Sequence, residues 1–310
     1  MPSPEIANTR VYRNHHLDST RWDHVTLRGD DIVITTPYKC GTTWTQHITA
    51  GLLHAPGTVV SRELSPWVDA RFWGDVGPIA AGLEAQTDRR FMKSHLALDG
   101  TRFDPDVKYV IVGRDLRDVF MSLLNHYGAY GDVAMSRLND PDRPGAPIPR
   151  FDGDVDRWWS RWIREGWFGW EADGWPFWSA THHWETWWTA RHEPNVLFVH
   201  YADLKADPVA EIRRLADFYE VARDDNYVKA VAEASDFAVM RERMLANEAA
   251  SGGNVGSLFE GGVGRFLYKG TNGRWRDVLG ETELTDYEAK MASLDPSLRA
   301  WLEGGRARAD

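Results

Sequence analysis

A lysine, a glycine and two threonines follow directly on an apolar segment of the chain. Residues 32–36 are apolar or β-branched, and Lys39, Gly41, Thr42 and Thr43 come next, at the start of a helical pattern. The first turn of a helix offers unpaired backbone N–H groups and the positive end of its dipole, glycine permits close approach, and lysine adds a full charge. The segment therefore predicts a P-loop-like strand-loop-helix that binds phosphate or sulfate.

The spacing differs from that of the nucleoside triphosphate P-loop. In the motif G-x-x-x-x-G-K-[ST], the lysine directly follows the last glycine. Here Lys39 precedes Gly41 by two residues, so the loop is too short to wrap a triphosphate in the same manner. Glycine and threonine are common at turns. These residues alone are therefore also consistent with an ordinary strand-turn-helix in which the lysine has no binding role.

A second segment, residues 112–118, places an arginine at the start of another predicted helix. Asp115 can cap this helix and Asp118 lies in its first turn, which leaves Arg114 at the end of the preceding strand. The planar guanidinium group of Arg114 is suited to binding a phosphate group. The alternative is an ordinary helix cap with Arg114 in solvent.

Both segments belong to an alternation of apolar runs and helical patterns. The apolar runs predict buried parallel strands at Ile32 to Thr36, Arg90 to Ser94, Lys108 to Val112 and Val196 to His200. The helical patterns lie at Thr43 to Leu53, Asp115 to Tyr127 and Asp207 to Tyr219. The fold class is therefore α/β, with a central parallel sheet flanked by helices and ligands bound beyond the carboxyl ends of the strands. Residues of interest just past these ends are Lys39, Lys93, His95 and Arg114.

Composition limits the classes of function. The 310 residues show no linker or repeat, which favours a single domain over residues 1–310. The formal net charge of −10 argues against general binding to nucleic acid or to an anionic membrane. No signal-peptide or membrane-spanning pattern is visible, so we expect a soluble cytoplasmic protein.

Neither a disulfide nor a metal site is indicated. Cys40 is the only cysteine, which excludes an internal disulfide. The pairs His15-His16 and His182-His183 have no cysteine or carboxylate at the spacing of metal ligands. We expect these histidines at the surface or in a pocket, and no metal cofactor.

Four segments in order resemble the cytosolic-type sulfotransferases, enzymes that use 3'-phosphoadenosine 5'-phosphosulfate (PAPS) as sulfuryl donor. Residues 36–44 resemble the family's loop for the 5'-phosphosulfate, and residues 93–95, Lys-Ser-His, resemble its catalytic Lys-Thr-His. Residues 112–122 resemble the segment that holds the 3'-phosphate, and residues 269–275 resemble the late Lys-Gly-x-x-Gly-x-Trp signature. The resemblance spans most of the chain.

The resemblance implies a role for each group. Lys39, Thr42 and Thr43 would stabilise charge on the departing phosphate. His95 would act as general base towards the acceptor hydroxyl, and Lys93 would bind the sulfuryl oxygens. The other residues implied to contact PAPS, or its product adenosine 3',5'-bisphosphate (PAP), are Cys40, Gly41, Trp44, Arg114, Ser122, Tyr201, Ser235, Phe237, Phe266, Lys269 and Gly270.

Among these, Arg114 and Ser122 would bind the 3'-phosphate, while Trp44 and Phe237 would enclose the adenine. Tyr201 and Ser235 stand where the family places base-contacting side chains. As an alternative, both Trp44 and Phe237 could be core aromatics.

The late signature departs from the family pattern. Tyr268 stands where arginine is usual, so one guanidinium group expected at the 3'-phosphate is missing unless Arg265 or Lys269 substitutes for it. Arg274 stands at a usually acidic position, and Arg276 replaces a lysine. Unless Arg265 or Lys269 substitutes, the resemblance therefore implies weaker donor binding.

Cys40 replaces the serine that is usual in the first loop. A thiol at a helix N-terminus beside Lys39 is expected to have a lowered pKa. We hypothesise that Cys40 is chemically accessible and that bound donor shields it. The alternative is an inert small residue.

The acceptor side is expected in two segments. Ten of the sixteen tryptophans lie between residues 158 and 188, within a Trp-rich segment of about residues 151–192. This density predicts an aromatic wall or lid around the acceptor, with core packing as the alternative. The Gly-rich residues 249–264 are expected to close over the donor.

We therefore expect transfer of a sulfuryl group from PAPS to a hydroxyl of a small aromatic or apolar acceptor: a phenol, an alcohol or a glycolipid-like compound. Residues 11–23 and 65–67 look most like the bacterial branch, including actinobacterial enzymes with lipid or small-molecule acceptors. A nucleotide or small-molecule kinase and a catalytically degenerate nucleotide-binding module remain alternatives. No nucleic-acid or integral-membrane partner is expected; the oligomeric state is open, with a homodimer as one alternative.

Overall fold

Four parallel strands form the central sheet of the protein, in the order β2-β1-β3-β4. The computed structural model describes residues 8–142, 146–251 and 258–306. The strands are β1 (Ile32–Thr35), β2 (Phe91–Ser94), β3 (Lys108–Gly113) and β4 (Val196–His200). They match the four predicted strands within one residue at each end. The predicted α/β class, with its parallel sheet, is confirmed.

Helices flank the sheet and connect its strands. Those after β1, β3 and β4 confirm the three predicted helices as α1, α3 and α8. In the described part of the chain, no helix is long and apolar enough to cross a bilayer. The helices are α1 (Thr42–Leu53), α2 (Gly77–Ala85), α3 (Leu116–Tyr127), α4 (Asp132–Leu138), α5 (Val155–Arg164), α6 (Ala180–Trp188), α7 (Tyr201–Ala206), α8 (Pro208–Phe218), α9 (Asp225–Ala234), α10 (Phe237–Ser251), α11 (Gly262–Phe266), α12 (Glu281–Ala292) and α13 (Pro296–Gly304). Short 3-10 helices lie at Ser19–His24, Arg71–Trp73, Leu98–Gly100 and Arg274–Asp277.

The two helices next to the site begin differently. Asp115 caps α3, because its carboxylate accepts a hydrogen bond of 2.9 Å from the backbone N–H of Arg117, and Asp118 lies in the first turn. This is the cap that the sequence predicts. Helix α1 begins after Gly41 without any side-chain cap. The N-terminus of α1 therefore keeps N–H groups for a ligand.

The strand order determines where the site forms. The chain passes from β1 to β2 on one side and from β3 to β4 on the other, while β1 and β3 are direct neighbours. Connections that leave neighbouring strands in opposite directions open a crevice beyond the carboxyl ends of those strands. The loop with Lys39 follows β1 and Arg114 follows β3. Lys93 and His95 lie at the end of β2, next to β1.

The Trp-rich segment is mainly core, so of its tryptophans only Trp178 contributes to an aromatic wall of the cavity described below, and core packing applies to most of the others. Helix α6 packs on β3, and Trp184 Nε1 donates a hydrogen bond of 3.1 Å to the carbonyl of Val112. Because such bonds satisfy the indole N–H, these large rings can be buried against the sheet. Besides Trp178, four of the ten tryptophans are exposed by 2% or less: Trp159, Trp162, Trp184 and Trp187.

Candidate active site

A cavity of about 1250 Å³ opens beyond the carboxyl ends of β1, β2 and β3. Its size is sufficient for a nucleotide and a second small molecule. The structure brings most of the predicted site residues together at its wall, from segments far apart in the chain. They are Lys39, Gly41, Thr42, Thr43, Trp44, Lys93, His95, Arg114, Ser122, Tyr201, Phe237, Phe266, Lys269 and Gly270.

The loop after β1 turns sharply into α1. Lys39 has φ of 64° and Gly41 has φ of 111°, a conformation that favours glycine. A Cβ atom at Gly41 would lie 2.9 Å from Cδ2 of Tyr201. Thr42 Oγ1 lies 2.6 Å from Thr36 Oγ1, which ties the first residue of α1 to the end of β1. The uncapped N-terminus of α1 thus lies at the cavity wall, where an anion can accept its N–H groups.

Among the basic side chains that line the cavity, Lys39, Lys93 and Arg114 form no ion pair with any described residue. Burial, followed by repulsion from Lys93 and Arg114, lowers the pKa of Lys39 to about 7. Burial lowers the pKa of Lys93 to about 8, against the opposing effect of Asp69. A bound anion would raise both values again, since it favours the charged forms. The cavity is therefore electrostatically fitted to a ligand with several negative charges.

Arg114 connects the loop after β1 to the late segment of the chain. Its Nη1 donates to the carbonyl of Lys39 at 3.1 Å, and its Nη2 donates to Thr271 O at 3.2 Å and to Asn272 Oδ1 at 2.9 Å. The guanidinium carbon lies 4.2 Å from the ring centroid of Tyr201. Its Nε is buried without a hydrogen-bond partner. This unused donor fits the prediction that Arg114 binds a phosphate group.

His95 is held so that one ring nitrogen is left for chemistry. Nδ1 lies 2.6 Å from the carbonyl oxygen of Thr36, so it carries the proton and donates it to that oxygen. The Nε2 atom then keeps its lone pair. Burial, followed by the charge of Lys93, lowers the pKa of His95 well below its usual value. The imidazole is therefore neutral at neutral pH and able to accept a proton.

Asp69 supports both catalytic candidates, and the sequence analysis missed it. Its carboxylate accepts hydrogen bonds from Trp67 Nε1 at 2.7 Å, Trp22 Nε1 at 3.1 Å and the backbone N–H of His95 at 3.1 Å. The ring of Trp67 lies under Lys93 Nζ at 4.2 Å and contacts His95 with 4.7 Å between ring centroids. The only sequence signal was the position of Asp69, two residues after Trp67, which belongs to the segment 65–67 that resembles the bacterial branch.

His126 is a second residue that sequence reasoning missed. Its Nδ1 lies 3.1 Å from Lys39 Nζ. Burial, followed by the charge of Lys39, lowers the pKa of His126 well below its usual value, so it accepts a hydrogen bond from the ammonium group. On α3, His126 follows Ser122 by four residues and therefore lies on the same face. The four-residue spacing between Ser122 and His126 was the sequence signal that could have identified His126.

The hypothesis of an accessible, acidic Cys40 is wrong. The side chain is fully buried, and its Sγ donates to the carbonyl of Tyr38 at 3.3 Å. Burial raises the pKa of the thiol, and this effect exceeds the lowering by Arg114 and Lys39. Cys40 does not line the cavity, so any contact with the donor would involve its backbone.

Ser235 does not line the cavity, although Asp236 and Phe237 do, and its predicted contact with the base stays a prediction. Ser235 directly follows the last residue of α9, and its Oγ donates a hydrogen bond of 2.7 Å to the carbonyl of Val231 in that helix. In the Gly-rich segment 249–264, residues 252–257 lie outside the described residues, and its predicted closure over the donor stays a prediction. Leu258 and Phe259, which follow them, line the cavity.

Tyr268 is surrounded by basic side chains. Arg274 Cζ lies 4.8 Å, Lys269 Nζ 5.2 Å and Arg265 Cζ 5.5 Å from its ring centroid. Lys269 and Arg274 line the cavity with Tyr268, whereas Arg265 does not. Positive charge is therefore kept near the position where the usual arginine is absent. Of the two predicted substitutes, Lys269 is the one at the cavity.

The aromatic wall of the cavity comes mainly from residues before β2. Trp67 and Phe72 have ring centroids 5.3 Å apart, and Phe72 and Trp73 have them 4.6 Å apart. Phe177 and Trp178 complete this wall. Because Trp67 also contacts His95, the wall begins at the candidate base.

The histidine pairs differ from expectation. His16 lines the cavity as predicted, but His15 and His183 are buried in the interior, where desolvation lowers the pKa of each to about 3. Pro176 O lies 2.6 Å from His15 Nε2 and Thr35 Oγ1 lies 3.1 Å from His183 Nε2, whereas His183 Nδ1 is buried without a hydrogen-bond partner. Among the residues that the structure describes, no group of three or more histidine, cysteine or carboxylate side chains could hold a metal ion.

Comparisons with known proteins agree with this geometry. Residues 29–292 match the family model described as the sulfotransferase domain. The chain is 32% identical over 316 residues to a protein of Mycobacterium bovis named glycolipid sulfotransferase, covering 96% of this chain and 94% of that one. It is 25% identical to sulfotransferase 1A1 of Rattus norvegicus, covering 85% and 84%. A crystal structure of mouse sulfotransferase SULT7A1 complexed with PAP shares the fold, with a TM-score of 0.67, 16% identity and coverage of 93% and 94%.

Proposed function

The chain belongs to the sulfotransferase family, and on this premise we propose that it transfers a sulfuryl group from PAPS to a hydroxyl group of an aromatic or apolar acceptor. One observation carries the proposal: uncompensated cations and the neutral imidazole of His95 share one cavity. The cations suit a phosphorylated and sulfonated donor. The imidazole suits the proton of an acceptor hydroxyl.

The donor-side residues match the charges of PAPS. Lys39, Thr42, Thr43 and the N-terminus of α1 would hold the 5'-phosphosulfate. Arg114 would hold the 3'-phosphate, for which its Nε is an unused donor. When bound, PAPS supplies an electrophilic sulfur atom and a phosphate leaving group. The fixed positive charges of these residues would stabilise the negative charge that develops on that leaving group.

Aromatic residues on the donor side fit a purine. Trp44 and Phe237 line the cavity, and Trp44 Nε1 is a buried donor without a partner. Trp44 contacts Tyr201, with 5.4 Å between ring centroids, and the ring of Phe237 packs against Gly270. A Cβ at Gly270 would lie 2.7 Å from that ring, so the approach requires glycine. These contacts support an adenine site between Trp44 and Phe237.

His95 would act as the general base. Its Nδ1 proton is committed to Thr36, so Nε2 accepts the proton of the acceptor hydroxyl as that oxygen becomes nucleophilic. Lys93 Nζ, over the ring of Trp67, would bind the sulfuryl oxygens and balance their charge.

The acceptor is the finer part of the proposal. The glycolipid sulfotransferase of Mycobacterium bovis is named for a lipid acceptor and matches almost the whole chain. The wall formed by Trp67, Phe72, Trp73, Phe177 and Trp178 suits an apolar or aromatic body. We therefore place phenols, long-chain alcohols and glycolipids in the acceptor class.

The direct test uses radiolabelled PAPS with a panel of these acceptors, and measures labelled product and PAP. We expect both to form in equal amounts. Arg114→Ala should weaken binding of PAPS and PAP together by about 10 to 100-fold, and Arg114→Lys should recover part of this loss. Phosphate transfer from ATP with Mg²⁺ would support a kinase instead. PAP binding with no turnover of any acceptor would support a degenerate nucleotide-binding module.

A further inference from the structure

Two arginine side chains contact one tryptophan in the wall of the cavity. The guanidinium carbon of Arg62 lies 3.5 Å from the ring centroid of Trp73, and that of Arg137 lies 5.9 Å from it. Trp73 ends the 3-10 helix Arg71–Trp73, and Arg137 lies in the last turn of α4. All three side chains line the cavity that contains His95.

The two guanidinium groups, of Arg62 and Arg137, belong to solvent-exposed residues and lack a paired carboxylate among the described residues. Partial burial, followed by repulsion from Arg137, lowers the pKa of Arg62. Glu63 opposes this shift but forms no salt bridge with Arg62. In a chain of net charge −10, two cations held together on one ring are an arrangement that an anion would stabilise.

A continuous aromatic surface joins this pair of arginines to the candidate base. Successive ring centroids lie 4.7 Å apart from His95 to Trp67, 5.3 Å from Trp67 to Phe72 and 4.6 Å from Phe72 to Trp73. An acceptor whose hydroxyl lies at His95 would thus have an apolar path for its body. The far end of that path carries the two positive charges.

We propose that Arg62, Arg137 and Trp73 form a binding subsite for an anionic group at the far end of the acceptor from its reacting hydroxyl. The position of the hydroxyl rests on the proposed function. The planar guanidinium fork matches a carboxylate or a phosphate monoester, and the ring of Trp73 holds Arg62 in place. The preferred acceptors are then apolar alcohols or phenols that carry such an anion, rather than neutral lipids.

The test compares acceptors that differ in one charge. The probes are 12-hydroxydodecanoate, its neutral methyl ester, and the 12-carbon diol phosphorylated at one end. For the wild-type protein we expect KM for each anionic probe to be about tenfold or more below that of the ester, as for a charge-assisted hydrogen bond. Comparing the carboxylate and phosphate probes shows which of the two anionic groups the subsite prefers. A series of probes of different chain length shows which length gives the lowest KM.

Substitutions then assign the effect to residues. Arg62→Gln and Arg137→Gln should each raise KM for the preferred anionic probe by about tenfold more than KM for the ester. Arg102→Gln is the matched control, because Arg102 is exposed, does not line the cavity, and loses the same charge. Raised salt should weaken the anionic probe selectively in the wild-type protein. This last measurement needs no variant to fold.

The proposal is overturned by equal KM values for acid and ester in the wild-type protein, or by parallel shifts for both probes in Arg62→Gln and Arg137→Gln. Calorimetric binding of the probes to the PAP complex is measured alongside turnover. Selective binding of the anionic probes with no sulfation of any acceptor would contradict the proposed function and leave the subsite supported. Sulfation of the ester alone, with no binding of the anionic probes, would contradict the anionic subsite and support the proposed function.

Discussion

Lys39 shows how a single side chain can combine binding and protonation. Its ammonium group donates to His126, faces repulsion from Lys93 and Arg114, and lies in a buried environment. Burial, followed by repulsion from Lys93 and Arg114, lowers the pKa of Lys39 to about 7, so the amine is only partly charged at neutral pH without a ligand. An anion in the cavity would restore the charge. Donor binding is therefore coupled to proton uptake.

The first prediction concerns this coupling. At pH 8 the free protein holds Lys39 mainly neutral, so PAP binding should take up a substantial part of one proton, falling towards zero at pH 6. Affinity should accordingly fall as pH rises above 7. Calorimetry in two buffers of different ionisation enthalpy measures the uptake. Lys39→Arg should reduce it, because arginine stays charged, and unchanged uptake in that variant would contradict the assignment.

The second prediction concerns His95. His95→Ala should lower turnover by roughly 10² to 10⁴ and change PAP affinity little, since a general base acts mainly in the transition state. Single-turnover rates with radiolabelled PAPS, together with calorimetry for PAP, separate the two effects. His24→Ala is a control at an exposed histidine. Activity of His95→Ala within tenfold of the wild type would exclude the role.

At the scale of elements, an extended segment beside β2 supports the catalytic groups. The backbone N–H of Lys93 donates to Pro66 O at 2.9 Å, and that of Val68 donates to Lys93 O at 3.2 Å. This backbone pairing between residues 66–68 and Lys93 places Trp67 against Lys93 and Asp69 against the backbone N–H of His95. Asp69, which does not line the cavity, can therefore influence the charge and orientation of residues that do.

The third prediction tests Asp69 as a positioning residue. Asp69→Asn keeps the shape but removes the charge that raises the pKa of Lys93. The pKa of Lys93, about 8 in the native protein, should fall, and the alkaline limb of the profile of kcat/KM against pH should move to lower pH by roughly 1 unit. Trp67→Phe, which keeps the charge of Asp69, should leave that limb in place. A stability loss without a shifted profile would indicate a merely structural role.

The fourth prediction concerns the loop between β1 and α1. Gly41→Ala forces a Cβ into a left-handed conformation and to 2.9 Å from the ring of Tyr201. The strain of about 1 to 3 kcal/mol should move the N-terminus of α1 and weaken PAP binding by roughly 10 to 100-fold. Calorimetry measures this loss. Gly169→Ala, at a position with open space and ordinary φ, is the control and should bind PAP normally.

The elements and the anion-binding residues could be predicted from the sequence, because each depends on local signals. The apolar runs specify buried strands, and Asp115 specifies a helix cap. The differences at Cys40 and in the Trp-rich segment have one cause: burial, which depends on distant packing. A thiol beside two cations has a raised pKa when no solvent reaches it. Asp69 and the pair Arg62 and Arg137 depend on the meeting of distant segments, which local patterns do not reveal.

At the scale of the molecule, Arg114 joins three parts of the chain. It follows β3, bonds the loop after β1 through the carbonyl of Lys39, and bonds the late segment at Thr271 and Asn272. Asp118 accepts a further hydrogen bond of 2.7 Å from the backbone N–H of Gly273. A ligand on Arg114 should therefore stabilise contacts across the whole site.

The fifth prediction follows from this connection. PAP at 100 times its dissociation constant should stabilise the folded protein by about 2.7 kcal/mol and raise Tm measurably in a thermal scan. The 3'- and 5'-phosphates should account for most of this effect, so adenosine at the same concentration should produce little. Arg114→Ala should remove about half or more of the PAP shift at fixed PAP concentration. An equal shift with adenosine would contradict phosphate recognition.

The burial of the Trp-rich segment also affects how ligands can be observed. Four of the sixteen indoles line the cavity: Trp44, Trp67, Trp73 and Trp178. Most of the others lie in the interior, where emission should be shifted to the blue and insensitive to quenchers in solvent. A fluorescence titration of the intact protein would report a small change over a large constant background. Variants that retain only one of the four cavity indoles would assign the fluorescence change to one end of the binding site.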